Sequence, residues 1–376
     1  MREISIGLIG TGFMGKCHAL AFRTAPAVFG DLPKPRLELL ADVDPASAER
    51  AAQAFGFARW TSDWHALVAD PGVDVVAITT PNFLHQGMAL AALAAGKHVY
   101  CEKPLALDAK GARAMAEAAE AAGVRTLVGY NYLWNPATRL AREIIEAGEI
   151  GEVVHFRGIH FEDYMTDPQA PCTWRCKRAS AGAGAIADLG SHIVSLARFL
   201  VGEIEEVQGS VQTVIKERPL PGEPGRTGAV EVDDQAQALV RFANGAAGTL
   251  EASWIAAGRK MALTYEVTGS KGALMLDQER MNELRLFTYG DSRRLDGFRT
   301  ILAGPEHPYY GAFCPAPGHQ LGFNDLKVIE VRALLEGIAR DAPLDPDFRS
   351  AWRIAQVIDA ILLSAAERRW VAPGEV

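Results

Sequence analysis

A glycine-rich turn near the start of the chain constrains the fold more than any other feature. Residues 4–9 form a short apolar run that is typical of a buried strand. The run leads directly into Gly10-Thr11-Gly12-Phe13-Met14-Gly15, after which the pattern becomes helical. A strand, a G-x-G-x-x-G turn and a helix in this order are typical of a dinucleotide site, since glycines permit the tight turn and the close approach of a pyrophosphate. The sequence therefore predicts that a pyrophosphate binds the N–H groups at this helix N-terminus, where the helix dipole favours an anion.

Length and charge limit the class of protein. The chain has 376 residues, which favours two domains over a single core. Its net charge is −8 and it has no basic tract, so we expect no nucleic-acid partner. No apolar run approaches the roughly 18 residues that span a membrane, and the apolar stretch after residue 3 is too short for a signal-peptide core. We therefore expect a cytoplasmic protein without a membrane partner.

The cysteines indicate neither a disulfide framework nor a metal site. Their number is five, which is odd, and the chain is long. Cys172 and Cys176 invite a metal interpretation, with His155 and His160 upstream, but no partner pair follows at a zinc-like spacing. We therefore expect structural thiols and no metal.

Hydrophobic patterning divides the chain into two parts. In the first part, strands alternate with helices, which predicts a parallel sheet of the α/β class. We interpret the Pro/Gly-rich stretch through Pro26, Gly30, Pro33 and Pro35 as a long loop. The strands are predicted at 4–9, 37–41, 73–79, 97–101 and 126–129, and the helices at 45–55, 83–95 and 108–122.

The second part predicts an open, mostly antiparallel sheet with helices on one face. Ala243-Asn244-Gly245 and Gly269-Ser270-Lys271-Gly272 are turn signals between strand pairs. We expect one amphipathic helix over 184–200, mobile or irregular loops over 218–229 and 305–322, and closing helices over 325–340 and 348–368. The strands are predicted at 153–159, 207–215, 235–242, 248–254, 263–268, 274–277 and 284–289.

An acidic residue predicts which dinucleotide binds. Asp42 follows the run 37–41 and lies 27 positions after Gly15, beyond the usual ~20; we attribute the excess to the long loop. A carboxylate there accepts hydrogen bonds from the ribose hydroxyls and repels a 2′-phosphate. No Arg follows directly, so we expect NAD rather than NADP. The alternative is a solvated Asp at a strand end.

The loop after the third strand should face the cofactor, because ligands bind beyond the carboxyl ends of parallel strands. It reads Thr79-Thr80-Pro81-Asn82-Phe83-Leu84-His85. Thr80 or Asn82 could also cap the next helix, and the two roles are compatible. His85 lies one turn into that helix, and the pattern leaves open whether it touches the cofactor.

Three polar residues are candidate catalytic residues. Lys103 follows the fourth strand, where Pro104 restricts it to extended geometry and directs its side chain outward; the alternative is an exposed loop lysine. Asp188 and His192 are spaced i, i+4 and interrupt an otherwise apolar helix, which costs free energy unless they are paired. A His beside a carboxylate is a candidate general base near pH 7. A buried structural pair is equally compatible with the spacing.

Taken together, these motifs resemble the glucose–fructose oxidoreductase/inositol dehydrogenase/rhizopine-catabolism (Gfo/Idh/MocA) family over essentially the whole chain. The resemblance rests on the glycine turn, Thr80-Pro81-Asn82-Phe83-Leu84-His85, Glu102-Lys103-Pro104 and Asp188-x-Gly-x-His192, in that order. Within the family the chain is most similar to inositol dehydrogenases of the scyllo-inositol/L-glucose type, and it resembles levoglucosan dehydrogenases too. The supporting stretches are Trp174-Arg175, Asp233-Asp234, Gly297-Phe298-Arg299-Thr300 and Gly304-Pro305-Glu306-His307-Pro308.

The resemblance implies a Rossmann NAD-binding domain over 1–130. It implies a substrate-binding and oligomerisation α/β domain over 131–376, whose last helix packs back on the first domain. The open sheet then makes the protein a homo-oligomer, a dimer or tetramer. The implied cofactor contacts are Gly10, Gly12, Phe13, Met14, Gly15, Asp42, Thr80, Pro81, Asn82, His85, Glu102, Lys103, Asn131 and Trp174.

The same resemblance implies NAD-dependent oxidation of a secondary hydroxyl of a sugar or cyclitol. His192 is then the general base, Asp188 orients it, and Lys103 holds the substrate oxygen. A redox-assisted glycosidase and a non-catalytic NAD or sugar sensor are alternatives on the same fold; a periplasmic binder is disfavoured because no export signal is visible. The implied substrate contacts are Lys103, Arg175, Asp188, His192, His319 and Asp163, with Glu162 and Tyr164 as weaker candidates.

Overall fold

The chain divides into two compact units in the computed structural model, which describes residues 3–290 and 293–376. The first unit extends to Trp134 and also includes Gly322–Trp352; the second contains Asn135–Leu321 and Arg353–Val376. A segment late in the chain therefore groups with the first unit. The assignment of separate functions to residues 1–130 and 131–376 stays a prediction.

The first unit contains a six-stranded parallel sheet in the order β3-β2-β1-β4-β5-β6. Strands β1 and β4 are apolar and almost entirely buried, as expected when both faces of a parallel sheet are covered. The strand order reverses between the parallel neighbours β1 and β4, so a crevice opens beyond their carboxyl ends. In chain order the first elements are β1 (Glu3–Ile9), α1 (Phe13–Phe29), β2 (Lys34–Ala41), α2 (Pro45–Phe55), β3 (Arg59–Thr61), α3 (Trp64–Ala69), β4 (Val75–Ile78), α4 (Asn82–Ala94), β5 (His98–Cys101), α5 (Ala109–Ala122) and β6 (Thr126–Val128).

The predicted long loop between the first helix and the second strand is wrong. Helix α1 continues through Pro26 and ends at Phe29, and the Gly30 that follows has a φ of 69°, which favours glycine. Strand β2 already begins at Lys34 and includes Pro35. The wide spacing between the glycine turn and Asp42 therefore comes from a long helix and a long strand.

The second unit contains an eight-stranded mixed sheet in the order β16-β15-β14-β13-β7-β12-β11-β8. Only the β7–β12 pair is parallel among the pairs of described residues in this sheet. Helix α8 packs on β7, β12 and β13, while α6 packs on β14 and β15. The elements that follow β6 are α6 (Pro136–Glu146), β7 (Val153–Phe161), α7 (Arg178–Ala181), α8 (Ser191–Leu200), β8 (Ile204–Gln212), β9 (Glu217–Pro219), β10 (Thr227–Ala229), β11 (Gln235–Phe242), β12 (Ala247–Ser253), β13 (Ala262–Gly269), β14 (Gly272–Asp277), β15 (Glu283–Thr288), β16 (Arg299–Leu302), α9 (Tyr310–Phe313), α10 (Phe323–Ala339) and α11 (Phe348–Glu367).

Side chains alternate across the sheet of the second unit. On β11, Ala236, Ala238, Val240 and Phe242 are buried, while the residues between them are exposed or half-buried. This period of two indicates one covered face and one open face. The fold class predicted from the sequence is confirmed: a parallel Rossmann sheet precedes an α/β unit with a mostly antiparallel sheet.

Three local predictions for the second unit are wrong. Residues 218–229 are not merely a loop, because β9 and β10 pair as an antiparallel hairpin. Residues 184–200 are not one regular helix, because a π-helical turn, Ile186–Gly190, precedes α8. The Pro/Gly-rich stretch after residue 305 contains the short helix α9.

No helix within the described ranges combines the length and the apolar character that crossing a membrane requires.

Candidate active site

The glycine turn forms a cradle over the N-terminus of α1. Gly10 has φ of +99°, and a Cβ on Gly15 would lie 2.2 Å from the carbonyl oxygen of Gly10, so the turn itself requires both glycines. A Cβ on Gly12, in contrast, would meet nothing within 4 Å. No side chain caps α1 and its first turn contains no acid. The uncapped helix start and the open space at Gly12 therefore fit a pyrophosphate.

Asp42 closes the cradle from the end of β2. Its Oδ2 accepts hydrogen bonds from the backbone N–H of Thr11 at 3.0 Å and from Thr11 Oγ1 at 2.5 Å. Its Oδ1 accepts the N–H of Asp44 at 3.2 Å. The carboxylate is half-buried and lines the cleft beside the turn. This is the position from which a carboxylate reaches the adenosine ribose.

A cleft of about 410 Å³ extends from the glycine turn beyond the strand ends. Four of its lining residues were not predicted: two lie beside the short elements β3 and α3, and the other two belong to or follow longer elements where nothing in the pattern points to a ligand. Two of them, Val43 and Trp64, offer apolar surface suited to a planar base. The cleft, the cradle and Asp42 together fit NAD. The four missed residues are Val43, Ser62, Trp64 and Met88.

The loop after β4 borders the same cleft. Thr80 and Pro81 line it, and Asn82 begins α4. His85 is fully buried; its Nδ1 faces the carbonyl oxygen of Pro104 and its Nε2 that of Thr80, both at 2.9 Å. Because both ring nitrogens face backbone carbonyls, we expect His85 to join the two loops rather than to touch the cofactor.

Lys103 directly follows Glu102 at the end of β5, and the Lys103–Pro104 peptide is cis. Glu102 was predicted as a cofactor contact, but its carboxylate is buried inside the first unit. Its Oε1 lies 2.7 Å from His18 Nε2 and 2.7 Å from Lys327 Nζ. Burial opposes ionisation of Glu102, yet Lys327 and His18 outweigh it and hold the pKa of this carboxyl below its usual range.

Asn131 also belongs to the first unit, in a short helical turn at 131–134. It is 3% exposed, and its side-chain nitrogen has no hydrogen-bond partner within the described part of the chain. A buried amide that lacks a protein partner is suited to a ligand. Its assignment to the cofactor stays a prediction.

The π-helical turn places Asp188 and His192 in the second unit. Asp188 lies within the turn, and His192 lies in the first turn of α8 with only 4% of its surface exposed. Asp188 Oδ2 accepts a hydrogen bond from the hydroxyl of Tyr164 at 2.6 Å. Desolvation and the Asp188 charge raise the pKa of Tyr164 well above its usual value, so Tyr164 stays a donor. π-Helical turns are frequent at functional sites.

A second imidazole lies beside His192. The ring centroids of His160 and His192 are 5.6 Å apart. His160 Nδ1 faces the carbonyl oxygen of Leu189 at 3.0 Å, and its Nε2 lies 3.1 Å from Glu162 Oε1. His160 therefore holds the peptide between Asp188 and His192. No sequence pattern predicts the contact of His160 with Leu189, since these two residues are 29 positions apart.

The remaining predicted substrate contacts lie on loops of the second unit. The Arg175 guanidinium lies 4.5 Å from the centroid of the Trp174 ring. Asp163 forms an ion pair with Lys260 at 2.6 Å and accepts the N–H of Gly258 at 3.1 Å. His319 is exposed, with Nδ1 3.3 Å from the carbonyl oxygen of Ala316. Their roles toward a substrate stay predictions.

No cluster of three or more His, Cys, Asp or Glu side chains suited to a metal occurs within residues 3–290 and 293–376. Cys172 and Cys176 are free thiols. Desolvation and the neighbouring thiol of Cys172 raise the pKa of Cys176 to about 11, so it is protonated near neutral pH.

Comparison with known families agrees with this site. Residues 4–130 match an oxidoreductase family with an NAD-binding Rossmann fold, and residues 138–275 match the Gfo/Idh/MocA C-terminal domain. Fold and site therefore define an NAD-dependent oxidoreductase. More specifically, the chain belongs to the Gfo/Idh/MocA family, and its cofactor is NAD.

Individual relatives narrow the comparison. The chain is 39% identical to levoglucosan dehydrogenase of Pseudarthrobacter phenanthrenivorans, over 99% of this chain and 98% of that protein. It is 29% identical to scyllo-inositol 2-dehydrogenase (NAD(+)) of Bacillus subtilis, over 76% of this chain and 78% of the relative. A solved structure of levoglucosan dehydrogenase in complex with NADH and levoglucosan matches with a TM-score of 0.96 and 40% identity, covering 99% of both chains. The family resemblance is confirmed, and the levoglucosan enzyme is more similar than this inositol enzyme.

Proposed function

We propose that the protein oxidises a secondary hydroxyl of a sugar or cyclitol by hydride transfer to NAD. The observation that carries the proposal is the cluster in the second unit, where the buried His192 lies beside His160 and follows by four positions Asp188, which binds Tyr164. Polar side chains buried in an apolar helix cost free energy of folding unless they are hydrogen-bonded. Titratable groups that are held in such surroundings are therefore candidates for a functional site. The presence of the family's motifs in the family's order along this chain supports the same activity.

Among substrates, we propose a 1,6-anhydrosugar such as levoglucosan first. The support is the identity of 39% to a levoglucosan dehydrogenase, compared with 29% to the scyllo-inositol enzyme. Scyllo-inositol, myo-inositol and L-glucose remain the next candidates, since the loops that carry Arg175 and His319 decide which hydroxyls fit. These two residues and Asp163 are proposed to bind hydroxyls that do not react, and Trp174 to pack beside the nicotinamide.

Each catalytic residue has a distinct proposed task. His192 accepts the proton of the reacting hydroxyl, and Asp188 stabilises the resulting imidazolium. Tyr164 holds one oxygen of Asp188 in place. The family resemblance assigns Lys103 a hydrogen bond to the reacting oxygen, where negative charge develops. Bound NAD supplies the hydride acceptor.

The proposal is tested by following absorbance at 340 nm with NAD⁺ or NADP⁺ and a panel of anhydrosugars, inositols, pentoses and hexoses. We expect NADH to form with NAD⁺ and an anhydrosugar or cyclitol. Tight NAD binding without net NADH formation would instead favour a redox-assisted glycosidase if a glycoside is cleaved. It would favour a sensor if no substrate changes.

A matched pair of variants tests the base. His192→Ala should lower kcat by roughly 10²–10⁴-fold, the usual contribution of general base catalysis, without changing NAD affinity. His155→Ala, at an exposed position on β7, is the control and should retain activity. Near-normal turnover by His192→Ala would show that another group accepts the proton.

We infer in addition that the protein is a homo-oligomer that buries the open face of its eight-stranded sheet. Leu239 on β11 is 49% exposed between polar neighbours on this face. A broad open sheet face with exposed apolar groups is suited to a second copy. Light scattering of the wild type and of Leu239→Glu tests the inference. A wild-type dimer or tetramer supports it, and a wild-type monomer contradicts it.

A further inference from the structure

Five polar side chains form a buried charged cluster in the first unit, outside the cofactor cleft. They come from α1, β5 with the residue that follows it, and α10. Lys327 and Glu330 have 0% of their surface exposed, and Glu102 has 5%. The members of the buried charged cluster are His18, Tyr100, Glu102, Lys327 and Glu330.

Lys327 is the centre of the buried charged cluster. Its Nζ lies 2.7 Å from Glu102 Oε1, 2.8 Å from Glu330 Oε2 and 3.3 Å from the hydroxyl of Tyr100. The Tyr100 hydroxyl also donates to Glu330. His18 Nε2 approaches the same oxygen of Glu102 that Lys327 binds. One ammonium group thus connects α10 to the residue that precedes Lys103.

The cluster fixes the turn that carries Lys103. Glu102 Oε2 accepts a hydrogen bond from the backbone N–H of Lys103 at 3.2 Å. The carboxylate also packs against Gly129, where a Cβ would lie only 2.7 Å from Oε1. On the other side of Lys103, His85 binds the carbonyl oxygen of Pro104. The backbone around Lys103 is therefore held from both ends.

Stability alone does not account for so many buried charges. Buried ion pairs are often no more stabilising than apolar side chains of the same volume, because desolvation offsets their attraction. The pair of Lys327 with Glu102 is nevertheless ionised. Burial opposes the charge of Lys327, but Glu102 and Glu330 outweigh it and raise the pKa of the ammonium group. A fixed cation–anion pair gives Glu102 one defined position, which an apolar contact does not.

We propose that Lys327 is a positioning residue of the active site, which acts through Glu102 to hold the backbone of Lys103 where its side chain meets the reacting oxygen. The inference rests on the proposed function, because that function assigns the oxygen to Lys103. Lys327 lies outside both stretches that match the family, 4–130 and 138–275.

A double-mutant cycle tests the inference, with NAD⁺ and the substrate that the absorbance assay at 340 nm identifies. Lys327→Met should lower kcat at least about tenfold while the Kd for NAD stays within about twofold. In the Lys103→Met background the same change should lower the residual kcat less than about threefold, because the two residues act through one interaction. Glu102→Gln, which keeps the size of the side chain, should behave like Lys327→Met if the methionine variant does not fold.

Arg332→Met is the matched control. Arg332 lies on the same helix, pairs with Glu336 at 2.9 Å and is not part of the buried charged cluster. It should leave kcat unchanged. Equal losses from Lys327→Met or Glu102→Gln in both backgrounds would indicate general destabilisation and overturn the inference, as would no loss in the wild-type background.

The two proposals fail in different ways. If Lys103→Met keeps wild-type turnover, the proposed role of Lys103 is wrong and the inference falls with it. If Lys103→Met is impaired but the losses are additive, only the inference falls. If no substrate is found, a crystal structure of Glu102→Gln decides: a displaced Lys103 backbone supports the inference, and an unchanged one overturns it.

Discussion

At the scale of single residues, the cofactor cleft contains groups that the fold needs and groups that only a ligand needs. Gly10 and Gly15 are required by the turn itself, since a side chain at Gly15 would overlap a backbone oxygen. The carboxylate of Asp42 serves both purposes, because it holds Thr11 and faces the cleft. Such residues are recognisable in a sequence, since the local backbone and the ligand impose the same residue type.

Asp42 provides the first prediction. Asp42→Ala should raise the Kd for NAD about 10–100-fold, because hydrogen bonds between a charged group and the ribose contribute roughly 1.5–3 kcal/mol. It should narrow the preference for NAD over NADP, since the charge that repels a 2′-phosphate is gone. Titration calorimetry with both dinucleotides measures the two effects without a substrate.

The control for this prediction is Asp44→Ala. Asp44 is exposed and caps α2 through the N–H of Ser47. Its removal should lower the stability of α2 without changing NAD affinity. Unchanged affinity for NAD in Asp42→Ala would show that this carboxylate does not bind the ribose.

Contacts between residues that are distant in the chain could not be predicted. Lys103, Asp188 and His192 interrupt apolar patterns and therefore attract notice. Lys327 binds Glu102 across 225 positions, and Tyr164 binds Asp188 across 24. A single sequence without aligned relatives carries no sign of such pairs. The polar clusters around the predicted residues became visible only with the structure.

At the scale of elements, the glycine turn at the start of α1 has space for a side chain at one glycine but not at another. Gly15→Ala should displace the turn, because the new methyl group would lie 2.2 Å from the oxygen of Gly10. We expect it to lower both NAD affinity and the melting temperature. Gly12→Ala meets open space in the protein and should keep the melting temperature, yet it blocks the approach of the pyrophosphate and should lower NAD affinity at least about tenfold.

Differential scanning fluorimetry with and without NAD distinguishes these two variants. The stabilisation that NAD gives the wild type should shrink in both, because ligand stabilisation depends on affinity. The melting temperature without NAD should fall only in Gly15→Ala. A normal NAD response in Gly12→Ala would contradict binding of the pyrophosphate over this residue.

The predicted and observed ends of the helices and strands show which sequence patterns are informative about secondary structure. The buried strands and α2, α4 and α5 were predicted within one or two residues at most ends, because apolar periodicity and capping act locally. Proline misled the prediction at Pro26, which α1 accommodates near its C-terminal end. The π-helical turn was not predicted either, because it depends on one added residue per turn and on packing such as the contact of His160 with Leu189.

At the scale of the whole molecule, each unit has its own sheet, and the change of pattern along the chain was enough to predict both. The resemblance implied that the last helix packs back on the first domain, but the segment that groups with the first unit is 322–352, which contains α10, whereas most of α11 groups with the second unit. The position of this segment was not predictable from local patterns. It depends on contacts between distant segments, such as the N–H of Val128 with the carbonyl oxygen of Pro346, and on the ion pair of Lys327 with Glu102. The buried charged cluster is thus a consequence of the topology and links the fold of this unit to pH.

Two members of the buried charged cluster make folding depend on pH in opposite senses. Burial lowers the pKa of His18 to about 4, from 6.5. Its contribution to stability is present above pH 6.5 and is lost as the pH falls toward 4, because the unfolded chain then binds the proton more tightly. Burial raises the pKa of Glu330 to about 7, from 4.5. Its contribution is present below pH 4.5 and is lost as the pH rises through 7.

Between pH 4.5 and 6.5 the two effects therefore oppose each other, and removing one of them should reveal the other. Glu330→Gln keeps an acceptor for Lys327 but cannot ionise, so the variant should gain stability relative to the wild type as the pH rises. The relative gain between pH 4.5 and 7 should be on the order of 2 kcal/mol in the free energy of unfolding. Urea denaturation at pH 4.5, 5.5, 6.5 and 7 measures it. The control for replacing a carboxylate by an amide is Glu336→Gln, at a residue that pairs with Arg332 on the same helix outside the buried charged cluster. A curve for Glu330→Gln that is parallel to that of the wild type would mean that Glu330 ionises in the folded protein as it does in the unfolded chain.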